Sequence, residues 1–379
     1  MEKHYIFSAP GRTEIGGNHT DHQHGCILAG AVNLETIADV VLRDDAIVCI
    51  RSQGYPEFQI SLDDLTIHPE EINTTAALVR GVAAAFSQRG AKLQGFTASI
   101  SSTVLPGSGL SSSAAFEVLI GTICNILFFD SKLTAVEIAQ IGQWAENVYF
   151  GKPCGLMDQT ASSVGGMVFI DFEDTANPVV EKIDFDFASA GHALCIIDSG
   201  ADHADLTDEY AAIPGELKAL CALFGKDYLR QIPKEEFMAR LPEIRGKVTD
   251  RAILRAFHIY NENERVLQEV AALKNNDFDA FLKICTKSGH SSWMYLQNIC
   301  PAGAVAQQAV GFTLALCDTL LQDRGAYRVH GGGFAGTVQA FVPDDMLESF
   351  KTEIERNLGV GSCHVLSIRP QGGILVTER

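Results

Sequence analysis

Residues 106–115, with the sequence PGSGLSSSAA, have the composition of a phosphate-binding loop. Two glycines and four serines stand directly before and within the start of a run, 114–128, that favours a helix. Glycine lets backbone N–H groups approach a ligand closely, and a helix N-terminus presents unpaired N–H donors that suit an anion such as phosphate. The Gly-Lys-Ser/Thr ending of a Walker A loop is absent. By itself the segment fits a phosphate-binding loop and a glycine-serine turn before a buried helix equally well.

A second polar segment lies near the start, at residues 11–25, GRTEIGGNHTDHQHG. A buried core segment would not carry so many polar groups without partners. The pattern fits a solvated loop, a metal site built from His19, His22 and His24, or a set of groups that bind a hydroxylated ligand. Because no distant Cys/His pair completes a metal set, we expect hydrogen-bonding groups for a sugar, which presents several hydroxyls at once.

Two further segments carry chemistry. In residues 154–162, CGLMDQTAS, the carboxylate of Asp158 could accept the proton of a hydroxyl that attacks phosphorus. The same aspartate is typical of an N-cap for a helix that begins at Gln159, and this segment alone favours the cap. Residues 330–336, HGGGFAG, hold four glycines before an expected strand and would allow the backbone to approach a ligand.

The whole composition limits the class of protein. The chain has 379 residues, 46% hydrophobic and 20% charged, which predicts a folded protein of two domains. Its net charge of −18 argues against nucleic acid or an anionic membrane as the main partner. The ten cysteines form no Cys-x-x-Cys pair, and the first residues lack an apolar signal core. These features predict a cytoplasmic protein.

Hydrophobic patterns predict strands and helices in both halves of the chain, and therefore α+β layers. The expected strands are 40–42, 46–50, 58–60, 96–105, 165–172, 193–197, 337–341 and 363–368. The expected helices are 75–88, 114–128, 135–149, 214–224, 251–274 and 302–321. The pattern shifts to long polar helices beyond Gly200, which suggests a boundary near residue 190.

The four segments together, in this order, closely resemble the galactokinase family of the GHMP small-molecule kinase superfamily. Residues 11–22 align with its signature Gly-Arg-Val-Asn-Leu-Ile-Gly-Glu-His-Thr-Asp-Tyr, and residues 106–115 match most of its phosphate-loop pattern. Residues 154–159 match Cys-Gly-(Ile/Leu)-Met-Asp-Gln, and 331–336 match its third glycine motif. The resemblance implies a two-domain GHMP kinase fold. Residues 1–190 would form an N-terminal ribosomal-protein-S5-like domain that binds ATP, and residues 191–379 a C-terminal ferredoxin-like domain, with the site in the cleft between them.

The resemblance also implies residue roles in an ATP-dependent sugar 1-kinase acting on galactose. Asp158 would act as the base beside the anomeric hydroxyl, and Arg12 would lie close to it and to the transferred phosphoryl group. Ser113 and Glu146 would hold Mg²⁺. The expected sugar-binding residues are Asn18, His19, Asp21, His22, Gly155 and Tyr210. The expected ATP-binding residues are Gly107, Ser108, Gly109, Leu110, Ser111, Ser112, Ser113, Gly332 and Gly333.

The departures from the family pattern fall on the sugar side. Asn18 replaces the family glutamate that faces the C6 hydroxyl, and His22 replaces the family tyrosine. An ionised glutamate repels a C6 carboxylate, whereas asparagine can donate a hydrogen bond to it. Plant galacturonate kinases, which resemble this superfamily, also lack the glutamate and carry Asp-His-Gln, as at residues 21–23 here. A hexuronic acid 1-kinase is therefore an alternative hypothesis, and a non-catalytic sensor of sugar and nucleotide is a third.

Overall fold

A computed structural model describes residues 3–104, 109–152, 154–201 and 206–379. The strands within these ranges are β1 (His4–Gly16), β2 (Cys26–Leu42), β3 (Ile47–Ser52), β4 (Phe58–Ser61), β5 (Phe96–Ser102), β6 (Met167–Asp171), β7 (Val179–Ile183), β8 (His192–Asp198), β9 (Ala326–Val329), β10 (Thr337–Pro343), β11 (Cys363–Leu366) and β12 (Ile374–Glu378). The α-helices are α1 (Thr75–Gln88), α2 (Ser112–Phe128), α3 (Ala135–Ala145), α4 (Met157–Val164), α5 (Thr207–Ala222), α6 (Lys234–Ile244), α7 (Asp250–Lys274), α8 (Phe278–Ser291), α9 (Ala309–Leu321) and α10 (Leu347–Leu358).

The strands form two sheets. The first has the order β12-β1-β2-β5-β3-β4, and β6 and β7 extend it from β2. The long strand β2 makes this branch possible, because its first residues pair with β6 and its last residues pair with β5. The second sheet has the order β11-β8-β10-β9 and is antiparallel throughout. The observed mixture of helices and largely antiparallel sheets confirms the predicted α+β class.

Apolar cores lie on both sheets. Helices α1, α2 and α3 bury their apolar faces on the first sheet, with Phe86, Leu119 and Ile123 among the fully buried side chains. Helices α9 and α10 cover the second sheet. Helix α7 packs against α5 and α8 and also contacts β1 and β2, so it connects the two halves. None of the helices in the described part of the chain is long and apolar enough to cross a membrane.

Most predicted elements are present, with shifted ends. The bounds of α1 agree with the predicted helix 75–88, and α7 begins one residue before the predicted helix. The prediction of a helix from residue 302 is wrong, because α9 begins at Ala309. Gly303 has a positive φ of 76°, a conformation that a helix cannot include. The strand β1 was not predicted, since it is buried on both faces and carries Arg12 and Glu14, which pair with distant residues.

The proposed domain boundary near residue 190 falls between β7 and β8, and therefore between the two sheets. The end of the chain then returns to the first sheet. Strand β12 pairs antiparallel with β1, and an isolated bridge joins Val32 to Ile368. Strand β1, which carries the first motif, is thus held between β2 and the last strand of the chain.

Candidate active site

An ion pair joins the first motif, residues 11–22, to the segment of residues 154–159. Arg12, near the end of β1, donates from Nε and Nη2 to the two carboxylate oxygens of Asp158, each at 2.8 Å. Asp158 lies in the first turn of α4, which begins at Met157, so the prediction that it forms an N-cap is wrong. Burial by itself raises the pKa of Asp158, but the charge and hydrogen bonds of Arg12 outweigh it, helped by the Ser111 side chain. The pKa of Asp158 therefore lies below its ordinary value, and the carboxylate stays ionised.

The same arginine contacts the phosphate loop. Arg12 donates from Nη1 to the carbonyl oxygen of Gly109, and its backbone N–H donates to the Leu110 carbonyl at 3.0 Å. Gly109 has a φ of +71°, and a Cβ there would lie 2.9 Å from Thr337 Oγ1 and 3.0 Å from His330 Nδ1. This position requires glycine because the glycine-rich segment 330–336 packs directly against it.

The structure describes only some of the other phosphate-loop residues that were predicted to bind ATP. Helix α2 begins at Ser112, so Ser112 and Ser113 stand at its N-terminus, as expected for an anion-binding loop. Ser111 directly precedes it with a positive φ of 56°. Gly107 and Ser108, predicted to bind ATP, lie outside the described residues.

The third glycine segment, residues 331–336, faces residues 18–23, hereafter the sugar loop. The Gly332 carbonyl accepts a hydrogen bond from His19 Nε2 at 3.0 Å, and the Gly333 carbonyl accepts one from Tyr210 Oη at 2.9 Å. A side chain at Gly332 would overlap the Tyr210 ring. Gly332 and Gly333, predicted to bind ATP, thus contact two residues that were predicted to bind the sugar.

The histidines of the first motif form a hydrogen-bonded chain. Gln23 Nε2 donates to His22 Nδ1 at 3.2 Å, and His22 Nε2 lies 3.2 Å from His19 Nδ1. Because His19 Nε2 must donate to the Gly332 carbonyl, its Nδ1 accepts from His22, and both rings are neutral. Burial agrees with this state, since it lowers the pKa of His19 to about 4 and that of His22 to about 3. No group of three or more His, Cys, Asp or Glu side chains in the described ranges is arranged to hold a metal ion.

Asp21 lies beside Gly155 and near the Arg12–Asp158 ion pair. A side chain at Gly155 would overlap the Asp21 carboxylate, so only glycine allows this approach. Burial raises the pKa of Asp21 to about 6, and the charge of Asp158 adds to the rise while Arg12 opposes it. The structure therefore brings Arg12, Asp158, Asp21 and Gly155 together, with the His19 and His22 rings on the same short loop as Asp21.

Glu146 belongs to a buried group of two carboxylates. The Gln159 amide donates from Nε2 to Glu146 Oε2 at 3.0 Å and to Glu117 Oε2 at 2.9 Å. Glu117 is 1% exposed, and its Oε1 has no hydrogen-bond partner among the described residues. Burial and the Glu146 charge raise the pKa of Glu117 well above its ordinary value. Neither Glu117 nor Gln159 was predicted as a site residue, although Glu117 follows Ser113 by four residues and so shares its face of α2.

The donor set of this group fits Mg²⁺. Magnesium prefers carboxylate and hydroxyl oxygens, and Glu146, Glu117 and Ser113 supply such atoms. A divalent cation beside Glu146 would favour the ionised form of Glu117 and offset the repulsion between the two carboxylates. The nearest cation to Glu146 is Lys152, whose Nζ lies 3.9 Å from Glu146 Oε1 and whose side chain is largely exposed.

Asn18 is placed in the interior. Its side chain is fully buried and both ends of its amide are hydrogen-bonded within the protein, to residues that include Glu14 and Asn298. Glu14 is in turn paired with the buried Arg328. The sequence analysis did not single out Glu14, Arg328 or Asn298, because their partners lie hundreds of residues away in the chain.

Family signatures match the segments that build this site. The GHMP kinases N terminal domain matches residues 77–166, and the galactokinase galactose-binding signature matches residues 1–40. The first range contains Ser113, Glu146 and Asp158, and the second contains Arg12 and Asp21.

Relatives that align with most of the chain indicate the same family. A galactokinase of Actinobacillus pleuropneumoniae is 33% identical over 373 residues, covering 94% of this chain and 91% of the relative. One of Streptomyces coelicolor is 32% identical, covering 89% and 84%. The crystal structure of Lactococcus lactis galactokinase complexed with galactose has a TM-score of 0.82 at 23% identity, covering 98% of this chain and 95% of that one. A mevalonate kinase structure has a TM-score of 0.69 at 14% identity, covering 97% and 99%. The predicted GHMP kinase fold is confirmed, and this chain belongs to the galactokinase family.

Proposed function

We propose that this chain transfers the γ-phosphoryl group of ATP to the anomeric hydroxyl of galactose. The observation that carries the proposal is the bidentate Arg12–Asp158 pair, which stands between the phosphate loop and the sugar-loop residues. Phosphoryl transfer needs positioning and neutralisation of charge more than covalent help from the protein. A carboxylate and a guanidinium held at one point supply both.

The ionised Asp158 accepts a hydrogen bond from the anomeric hydroxyl and orients its oxygen toward phosphorus. As the new O–P bond forms, the bond between the γ-phosphorus and the β–γ bridging oxygen breaks and ADP leaves. The hydroxyl becomes more acidic as it attacks, and its proton moves to the carboxylate. Arg12 keeps this carboxylate ionised, and its positive charge also faces the transferred group. In this geometry Asp158 therefore first orients the anomeric hydroxyl and then accepts its proton.

The two substrates would occupy the two sides of this pair. Asp21 offers acceptors to sugar hydroxyls. The ring nitrogens of the neutral His19 and His22 are already hydrogen-bonded within the protein, so these rings would shape the same region together with Gly155 and Tyr210. Residues 109–113, at the start of α2, would receive the phosphates of ATP. Ser113 and Glu146 would hold Mg²⁺, which would neutralise phosphate charge.

We also propose that the protein works in the cytoplasm. The supporting observation is that all ten cysteines are free thiols, most of them buried in apolar surroundings. A reducing compartment suits such a chain.

A sugar panel tests the proposal. ATP consumption is measured with galactose, galacturonate, glucuronate, arabinose and N-acetylgalactosamine, and galactose is expected to give the highest kcat/KM. Asp158→Asn should abolish most turnover, and Asp130→Asn, at a surface position with an 87% exposed side chain, serves as the matched control. Turnover of galacturonate well above galactose would replace the substrate with a hexuronic acid. Sugar binding without turnover would indicate a sensor.

A further inference from the structure

Two of the polar residues at which the first motif differs from its family signature, Glu14 and Asn18, contact each other. The signature carries asparagine at the position of Glu14 and glutamate at the position of Asn18, so the chain has the carboxylate and the amide exchanged. Asn18 Nδ2 donates to Glu14 Oε1 at 3.1 Å. Arg328 donates to the same carboxylate oxygen, and all three side chains are buried. One amide and one carboxylate are therefore in contact at these two positions.

The side-chain amide of Asn18 has no free hydrogen-bonding position. Its two N–H groups donate to Glu14 and to the Gly331 carbonyl, the latter at 2.6 Å. Its oxygen accepts from Asn298 Nδ2 at 2.9 Å and from Ser292 Oγ at 3.3 Å. An asparagine amide offers two donors and two lone pairs, and all four are used. A sugar hydroxyl could bind this amide only if one of these contacts were broken.

The backbone of Asn18 is held as completely as its side chain. Glu262 Oε1 on α7 accepts the N–H groups of Gly17 and Asn18, at 3.2 and 3.3 Å. His258, one helical turn earlier, donates from Nε2 to the Asn18 carbonyl at 2.9 Å. Both side chains are fully buried. One face of α7 thus fixes both polar groups of this residue.

These contacts determine where the sugar-loop side chains lie. Asn18 donates to the Gly331 carbonyl, and the next residue, His19, donates to the Gly332 carbonyl. Two consecutive side chains therefore attach the loop to the third glycine segment. Because His19 and Asp21 follow directly on the same loop, a shift at Asn18 would move both of them.

We propose that Asn18 is a positioning residue that fixes the sugar loop against the third glycine segment, and that Glu14 is its obligatory partner. This inference rests on the proposed function, because the loop it positions is the proposed galactose site. The Glu14–Asn18 pair holds the loop in position, and the residues that Asn18 positions recognise the sugar.

Isosteric exchanges test the pair. Asn18→Asp keeps the acceptor for Asn298 but removes both N–H donors and places a second carboxylate against Glu14. The galactose KM should rise at least about tenfold, while the ATP KM stays within about twofold. The double variant Glu14→Gln with Asn18→Asp puts an amide and a carboxylate back in contact and should recover part of the loss, because the donor to the Gly331 carbonyl is not restored. A galactose KM unchanged by Asn18→Asp, or no recovery in the double variant, would overturn the proposal.

A second comparison separates positioning from direct contact with the sugar. The dissociation constants of galactose and 6-deoxygalactose are measured by calorimetry for the wild type and for Asn18→Asp. A positioning residue weakens both sugars by the same factor, whereas a direct contact with the C6 hydroxyl weakens galactose alone, which would contradict the inference.

A matched control accounts for the general effect of a buried charge. Asn125 is also buried, and its amide pairs with the Leu133 backbone at 3.1 and 3.0 Å in the first sheet's helical layer. Asn125→Asp should lower the Tm and leave the galactose KM unchanged. Wild-type protein that binds galactose without phosphorylating it would refute the proposed function, and the binding comparison would still decide the role of Asn18.

Discussion

Both oxygens of the Asp158 carboxylate are bound by the guanidinium of Arg12, at the point where the sugar hydroxyl would be oriented. A bidentate pair fixes direction as well as charge, because two parallel N–H···O bonds leave the carboxylate little freedom to rotate. Removal of Asp158 would leave the buried charge of Arg12 without compensation, which typically costs about 3–5 kcal/mol. The Asp158 side chain is 31% exposed, so removal of Arg12 would cost less. The pair is therefore a structural and an electrostatic requirement at once.

The pKa of Asp21 predicts how galactose binding depends on pH. Its pKa is raised to about 6, chiefly by burial and then by the charge of Asp158. The ionised form, which accepts hydrogen bonds from hydroxyls, is lost as the pH falls below about 6. We expect the galactose dissociation constant, measured by calorimetry between pH 5 and 8, to increase below about pH 6. Asp21→Asn should bind weakly at every pH and remove this dependence, and a wild-type profile that is flat across pH 6 would refute the role of Asp21.

Individual site residues differed in how far the sequence could predict them. Arg12 and Asp158 stand in ordered motifs, and the structure joins them directly. The pairing of Glu117 with Glu146 through Gln159 could not be foreseen, because three different helical segments bring these side chains together. For the same reason nothing in the local pattern showed that the whole Asn18 amide is paired inside the protein.

At the scale of elements, α7 determines the position of the sugar loop. His258 and Glu262 are four residues apart, so they share one face and reach the same peptide. The sequence predicted this helix almost to the residue, since its apolar stripe is regular. What its buried polar face contacts was not predictable, because Gly17 and Asn18 lie more than two hundred residues away. Strand β1 was missed for a related reason, as its polar residues pair with distant partners.

The lowered pKa of Glu262 predicts how the free energy of unfolding depends on pH. Burial raises its pKa, but Arg265, His258, Arg328 and the Ser288 hydroxyl outweigh burial and lower it to about 2. A carboxyl group whose pKa is lower in the folded state stabilises the fold above its unfolded pKa of about 4.3, and this contribution disappears as the pH falls toward 2. Two pKa units correspond to about 3 kcal/mol of unfolding free energy.

Urea unfolding of the wild type and of Glu262→Gln therefore has a defined expected outcome. The wild type should be more stable by about 3 kcal/mol at pH 6, and the difference should narrow as the pH is lowered from about 4.5 toward 2. Glu264→Gln, on the exposed face of the same helix, is the matched control and should show little difference. An equal destabilisation at pH 6 and pH 3 would contradict the assigned ionisation of Glu262.

At the scale of the whole molecule, the site draws on both halves of the chain. Arg12, Asp21 and Asp158 come from the first sheet and its helices, whereas Tyr210 and Gly332 come from the second half. The α+β class could be predicted from local patterns. The return of β12 to pair with β1 could not, because it joins the two ends of the chain and leaves no local signal.

The position of the transferred phosphoryl group tests the central claim most directly. The protein is incubated with ATP, Mg²⁺ and galactose, and the product is examined by ³¹P NMR with coupling to the sugar protons. The Arg12–Asp158 geometry predicts a phosphate on the anomeric oxygen of galactose, and Asp158→Asn should yield almost none. A phosphate on any other oxygen, or wild-type protein that forms no sugar phosphate under these conditions, would contradict the account.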